Sequence, residues 1–222
     1  MDLKEILAVE AQSYLDNVDT LGLGTGKTVR TLIKHLHKEG LLTKFNVVCS
    51  SIDTELAVSQ LGGKVLSIQN GIVPDVYLDS FDTLVRRRIL VKGGGGALLR
   101  EKLLAAHSKT RVYLGEGWKL REFPVSVPLE VVPATLHYIY SQLKREGYTV
   151  SLRESTGKAG PVVTDNGNLL MDLEARESED LCQLESRLRG IVGIVETGIF
   201  CPNLYDHIVI AHDSSIERIE RV

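Results

Sequence analysis

The sequence predicts an α/β protein: a mostly parallel sheet domain with a smaller ferredoxin-like α+β domain inserted near the carboxyl end. Short apolar runs alternate with helix-spaced apolar residues through the first half of the chain, the pattern of a parallel sheet covered by helices. Two glycine-rich loops, residues 22–26 and 93–96, each follow a strand pattern and precede a helix pattern. From Pro124 onward the order becomes β-α-β-β-α-β, the split arrangement of a ferredoxin-like unit.

Leu3, Leu7, Ala11 and Leu15 recur at helical spacing and predict an amphipathic helix over residues 2–15. Strands are predicted at Thr20–Leu23, Phe45–Cys49, Lys64–Leu66, Val76–Leu78, Arg88–Val91 and Arg111–Leu114. Helices between them are marked by Val29, Leu32, Ile33 and Leu36, and by Leu56 and Leu61. Good helix formers at Ala97–Ala106 predict a further helix after the second glycine loop. Pro124, Pro128 and Pro133 interrupt the chain, so the first domain is expected to span 1–124 and 203–222 and the second 125–202. The second domain reads as an extended segment Leu129–Val132, a helix Ala134–Glu146, and strands Tyr148–Arg153, Val162–Thr164 and Leu169–Leu173. A helix Glu179–Leu188 and a strand Ile191–Ile199 complete it, and Asn166-Gly167 is a hairpin signal. The apolar run His207–Ala211 is expected to return to the first sheet.

With 26 Lys and Arg against 29 Asp and Glu in 222 residues, the formal net charge is −3. That balance gives no general attraction to nucleic acid or acidic membranes. Arg86-Arg87-Arg88 is too short a basic run to change this, and it reads as a solvated turn or interface charge. Cys49, Cys182 and Cys201 lack CxxC spacing, so neither a disulfide framework nor a zinc site is expected, and a reducing cytoplasm is the easier reading. The start, MDLKE, is not followed by an apolar stretch of signal-peptide or membrane-spanning length, so a cytoplasmic location is expected. The six histidines are scattered and form no metal cluster in the sequence.

The segment Lys92–Lys102, KGGGGALLREK, carries the strongest chemical signal. A glycine run is retained where bare backbone or positive φ is needed, and the helix after it offers N–H groups and a positive dipole end to a phosphate or a developing oxyanion. Glu101 stands roughly 7.5 Å along that helix at ~1.5 Å per residue, near such an anion without filling its place, as a base would. On periodicity alone a surface carboxylate in an i,i+4 pair fits equally. The earlier loop, Gly22–Thr28, has Leu21 where a P-loop needs glycine and Lys27 where a dinucleotide fingerprint needs one. What remains is close backbone approach with Thr25, Lys27 and Thr28 as donors to a phosphate at a helix start, or a structural tight turn. Asp79 and Asp82 follow a predicted strand and fit either turn chemistry or a site at strand ends.

Taken with these motifs, the chain resembles the A-type ribose-5-phosphate isomerases over nearly its whole length. GLGTGKT at 22–28 is similar to the family's phosphate loop, SSIDTE at 50–55 to its serine-rich segment, and KGGGGALLREK at 92–102 to its catalytic signature. VTDNGN at 163–168 resembles its second-domain hairpin, and IVGIVETGIF at 191–200 a late motif. The resemblance implies a Rossmann-like α/β domain carrying a small α/β domain, and interconversion of D-ribose 5-phosphate and D-ribulose 5-phosphate without a cofactor, by a homodimer or homotetramer. It places Glu101 on the catalytic base, and Asp79, Asp82 and Lys92 on residues lining the sugar. Thr25, Gly26 and Thr28 fall on the phosphate loop, Lys119 on a further active-site lysine and Lys4 on a phosphate contact. Lys92 and the backbone N–H groups of Gly93, Gly94, Gly95 and Gly96 would then stabilise the enediolate oxygens, and Asp79 or Asp82 with Lys92 would assist ring opening.

Three departures accompany the resemblance. The family's DGADEVD reads DSFDTLV at residues 79–85, so Ser80 would cost about 1–2 kcal/mol if its position needs positive φ. Phe81 is expected to add bulk beside the sugar, and Lys27, standing where the family has serine, either contacts phosphate or points to solvent. Two other readings are a non-catalytic sugar-phosphate-binding sensor on the same fold, for which the chain shows no output module, and an acyl-CoA transferase-like relative with Glu101 as nucleophile, which nothing in the sequence requires.

Overall fold

The computed structural model describes residues 2–157 and 159–221. In chain order it contains helix α1 (Leu3–Gln12), strand β1 (Thr20–Leu23), α2 (Lys27–Lys38), β2 (Asn46–Cys49), α3 (Ile52–Gln60), β3 (Lys64–Leu66), β4 (Val76–Ser80), β5 (Thr83–Val85), β6 (Ile89–Val91) and α4 (Leu98–His107). There follow β7 (Thr110–Glu116), β8 (Leu120–Arg121), β9 (Val125–Val131), α5 (Leu136–Arg145), β10 (Val150–Leu152), β11 (Leu169–Ala175), α6 (Leu181–Arg189), β12 (Ile194–Thr197), β13 (Ile199–Phe200), β14 (His207–Ala211) and β15 (Ile216–Glu220).

The chain divides into two compact units. One holds the described residues up to Phe81, Arg100–Lys119 and those from Pro202 onward; the other holds Asp82–Leu99 and Leu120–Cys201. The first is built on a seven-stranded sheet of order β15-β14-β7-β4-β1-β2-β3, in which every pair is parallel except β14 with the edge strand β15. β1 and the first four residues of β4 are buried, as strands covered on both faces must be, and Asp79 is the one charged side chain among them. Helix α1 starts in a capping box in which Asp2 accepts from the third helical N–H and Glu5 reaches back. Helix α2 turns Val29, Leu32, Ile33 and Leu36 into the core. Strand order reverses between β1 and β4, the switch point at whose carboxyl ends a doubly wound sheet leaves a crevice.

The second unit contains a four-stranded antiparallel sheet of order β10-β11-β9-β12, with α5 and α6 completing the expected β-α-β-β-α-β order. A further sheet, β13-β6-β5-β8, belongs to the same unit. The division therefore differs from one placed at residue 125: residues 82–99 and 120–124 go with the second unit. The reason is that Ile89–Val91 does not join the parallel sheet. It folds back on β5 as an antiparallel hairpin, and Arg86 and Arg87 form the turn with φ of 48° and 55°. The basic run is thus a hairpin turn, with Arg88 N–H bonded to the Val85 carbonyl at 3.0 Å.

Two other expectations are corrected. Val162–Thr164 is not a regular strand; its pairing is reduced to single bridges, Glu154 with Pro161 and Val163 with Leu169. The polar side chains of this loop turn inward instead, and buried Glu130 Oε1 accepts from Thr164 Oγ1 (2.9 Å), Asn166 Nδ2 (3.0 Å) and Asn168 Nδ2 (2.9 Å). The cysteines do form a disulfide, Cys182 to Cys201, which ties the first turn of α6 to the residue after β13. Cys49 is a buried free thiol whose pKa burial pushes up to about 12.

Candidate active site

In the first unit, the ends of β1 and β4 meet around Asp79. Its carboxylate is completely buried and accepts from the Thr25 N–H (3.2 Å), the Ser80 N–H (2.6 Å) and the Tyr77 hydroxyl. Gly24 is bare because a Cβ there would lie 1.8 Å from Asp79 Oδ1. The loop that began as a glycine pattern is therefore shaped by a carboxylate distant in sequence. Beside it, Thr25 Oγ1 contacts the hydroxyls of Ser51 and Thr54, and Thr54 donates to the Gly24 carbonyl at 2.7 Å. Ser51 is also the N-cap of α3, and Gly26 that of α2, so hydroxyls and helix N-termini converge on one loop. Donors of this kind suit a phosphate. Thr28 is buried, whereas Lys27 is exposed to solvent.

Glu101 lies in the first turn of α4 and is only 2 % exposed, on the face shared by Leu104 and Ala105 at i+3 and i+4. Tyr77 and Tyr113 are both fully buried, and their hydroxyl pKa values lie well above the ordinary range because of burial, then the charges of Asp79 and Glu101. Both phenols stay protonated near neutral pH. Glu116, at the end of β7, bridges two lysines: Lys4 Nζ at 2.7 Å and Lys119 Nζ at 3.7 Å. Its hydrogen bond raises the Lys4 pKa despite partial burial, and Lys119 also donates to the Phe81 carbonyl at 2.7 Å. Trp118, 61 % exposed, stands beside this group, with Lys119 Nζ 5.6 Å from its ring centroid.

In the second unit the glycine run forms a tight turn, with Gly93 at φ +102° and Gly96 at φ +80°. The Gly96 N–H closes it on the Gly93 carbonyl at 3.1 Å. A side chain at either position would be strained, which accounts for two of the four glycines. The Gly94 N–H donates to Asp82 Oδ2 at 2.7 Å, and a Cβ on Gly94 would come within 2.9 Å of Asp82 Oδ1. Asp82 is itself set by its N–H bond to the Val91 carbonyl, 3.0 Å, and is exposed. Buried Lys92 donates its N–H to the Gly198 carbonyl at 2.9 Å and holds its ammonium 5.7 Å from the Phe200 ring centroid. Gly95 is exposed at the turn's apex.

The structure thus brings Thr25, Gly26, Thr28 and Asp79 together, joins Lys4 to Lys119 through Glu116, and gathers Asp82, Lys92 and Gly93–Gly96. Lys27 stands apart, on the solvent side. Ser80 is not among the described residues with positive φ, so the strain considered for it does not arise. Phe81 adds no bulk to a sugar site: it is 1 % exposed and fills the space above Gly115, where a Cβ would lie 2.1 Å from Phe81 Cζ. Glu116, Tyr77 and Tyr113 were not singled out from sequence, and Ser51 and Thr54 were marked only as part of SSIDTE at 50–55. A signal for Ser51 existed in its position before a helix, but none existed for Glu116, whose lysines are remote along the chain. Among the described residues, no group of three or more His, Cys, Asp or Glu side chains could hold a metal ion, and no helix is long and apolar enough to cross a membrane.

Fold and site define an α/β protein of Rossmann-like topology whose buried carboxylates and clustered hydroxyls stand at the switch point of its parallel sheet. Comparison with known proteins narrows this. The family described as ribose 5-phosphate isomerase A (phosphoriboisomerase A) matches residues 46–215. A ribose-5-phosphate isomerase A of Korarchaeum cryptofilum is 35% identical over 217 residues, covering 96% of this chain and 95% of the relative. That of Thermococcus kodakarensis is 34% identical over 226 residues, covering 99% and 98%. A solved D-ribose-5-phosphate isomerase in complex with phospho-erythronic acid superposes with a TM-score of 0.91 at 30% identity, covering 99% of this chain and 98% of that one. The chain belongs to the ribose 5-phosphate isomerase A family, and the Rossmann-like reading of its fold is borne out. These relatives do not favour the non-catalytic sensor.

Proposed function

We propose that the protein interconverts D-ribose 5-phosphate and D-ribulose 5-phosphate through an enediolate, with Glu101 carrying the proton. The observation that carries this reading is the burial of the Glu101 carboxylate in the first turn of α4, beside the same two buried tyrosines that face Asp79. A carboxylate withdrawn from water returns the proton it takes to the substrate rather than losing it to solvent. Glu101 removes the proton from C2 of the open-chain aldose. The C–H electron pair becomes the C1–C2 double bond while the carbonyl pair moves to O1. The protonated carboxyl then delivers to C1 as the carbonyl re-forms at C2, the O2 proton having passed to O1.

The remaining roles follow from how occupied each group is. Asp79 already accepts three hydrogen bonds and is sealed from solvent, so it orders the loop. Asp82 is exposed and held by one backbone N–H, which leaves it the better acid–base partner for ring opening, with Lys92 supplying positive charge to the sugar oxygens. Thr25, Gly26 and Thr28, with Ser51, receive the phosphate, and Lys4 and Lys119 add charge. The phospho-erythronic acid of the related complex joins a phosphate to a planar carboxylate, a shape and charge like an enediolate phosphate. No metal or cofactor is required by this chemistry, and assembly as a homodimer or homotetramer in the cytoplasm remains part of the proposal.

The test is turnover of ribose 5-phosphate in deuterated water, with deuterium appearing at C1 of the ketose or C2 of the aldose. Glu101→Gln should lower kcat by about 10²–10⁴-fold with substrate still bound. Wild-type activity in that variant would remove Glu101 from the mechanism, and binding without exchange in the unaltered protein would restore the sensor.

A further inference from the structure

Arg153, in the segment leaving β10, touches none of the groups named above as acid, base or phosphate donor, yet its guanidinium is bound on three sides. Nε donates to Asp172 Oδ2 at 2.8 Å and Nη2 to Asp172 Oδ1, a bidentate pair across β10 and β11. Nη1 donates to the Gly93 carbonyl at 2.7 Å and reaches the Gly94 carbonyl at 3.4 Å. The Gly93 carbonyl is the one that closes the glycine turn with Gly96 N–H, and Gly94 is the residue whose N–H holds Asp82. A peptide plane is rigid. Fixing the carbonyls of residues 93 and 94 on one side of the turn therefore fixes the N–H groups on the other.

We propose that Arg153, locked in place by Asp172, is a positioning residue: it clamps the glycine turn so that the Gly94 N–H holds the Asp82 carboxylate in its working orientation. Glycine is the least restrained of residues, so a turn built from four of them needs an external constraint if it is to present one geometry. Lysine would not serve, because a single ammonium cannot span a carboxylate and two carbonyls with fixed directions, whereas the planar fork does. The guanidinium is also reachable. An open cavity of about 660 Å³ is lined by Arg153, Asp172, Asp82, Gly94, Arg121 and Ser126.

That access makes chemical rescue the decisive experiment, carried out on the full chain; its kinetic arm rests on the isomerase reading. Arg153→Ala should lower kcat by roughly 10–100-fold, the scale for misplacing a reacting group by a fraction of an ångström to an ångström, with KM near the wild-type value. Methylguanidinium added to the variant should recover much of the loss, and Arg153→Lys, which keeps the charge and the fold, should stay impaired. The second arm reads no activity: in protein labelled with ¹⁵N-glycine, the Gly94 amide, bonded to a carboxylate, should move toward the unfolded-chain position in Arg153→Ala while Gly22 in β1 stays. Wild-type kcat in Arg153→Ala, or a Gly94 resonance that does not move, would overturn the proposal. So would a loss that methylguanidinium leaves unrepaired while Gly22 shifts as well, since that pattern belongs to general destabilisation. A wild-type protein inert toward ribose 5-phosphate would end the isomerase reading and leave the amide result to decide this one.

Discussion

At the scale of single residues, the clearest lesson is that Phe81 and Gly115 are one decision made at two positions. The ring is buried because the strand beneath it lacks a side chain, and the absent side chain is tolerated because the ring fills the gap. Gly115→Ala should therefore destabilise the protein by about 1–3 kcal/mol through overpacking. Adding Phe81→Ala should give a double variant that loses less than the sum of the two single losses, measurable as a coupling energy in denaturant unfolding. Additive losses would show that the two do not share the space. Residues of the candidate site were legible in sequence where Glu101, Lys92 and the glycines sit inside one short stretch and Asp82 follows soon after a recognisable strand. What was not legible was contact between remote segments. Phe81 was expected beside the sugar because nothing local announces Gly115, and Glu116 went unnoticed because its lysines lie at the far end of the domain and just beyond the strand.

Among the elements, those with a clear period were read well and those decided by a few side chains were not. The helices led by Leu3 and Val29, and strands such as Thr20–Leu23 and Lys64–Leu66, follow directly from apolar spacing. The hairpin of β5 and β6 was missed because its turn is Arg86-Arg87, two residues that adopt the left-handed region without being a turn signature. Val162–Thr164 failed as a strand because Thr164, Asn166 and Asn168 spend their polar groups on Glu130. The loop is organised by that one buried carboxylate. Glu130→Ala leaves the buried Thr164 hydroxyl without its acceptor and should cost about 1–3 kcal/mol. Amide exchange in residues 164–168 should rise before global unfolding does, and unchanged exchange there would deny Glu130 this role.

For the molecule as a whole, the fold class was legible and the partition of the chain was not, because residues 82–99 and 120–124 carry strand-like runs that could join either sheet. The disulfide was equally hidden: three unpaired-looking cysteines give no spacing signal, and only the packing of α6 against β12 and β13 brings Cys182 to Cys201. With its ends 19 positions apart in sequence, the bond should contribute about 3 kcal/mol by restricting the unfolded chain. Replacing both cysteines by serine, or adding a thiol reductant, should lower the thermal midpoint in the same measure; a midpoint insensitive to both would show that the bond adds nothing. One further property comes with Trp118. It is the only tryptophan in the chain, and it stands in the solvent beside the Lys119 ammonium. Light absorbed beyond the tyrosine band is therefore emitted from a single address, next to a charged group. The protein carries its own optical label at the lysine pair, and movement of that ammonium can be followed in real time without attaching a dye.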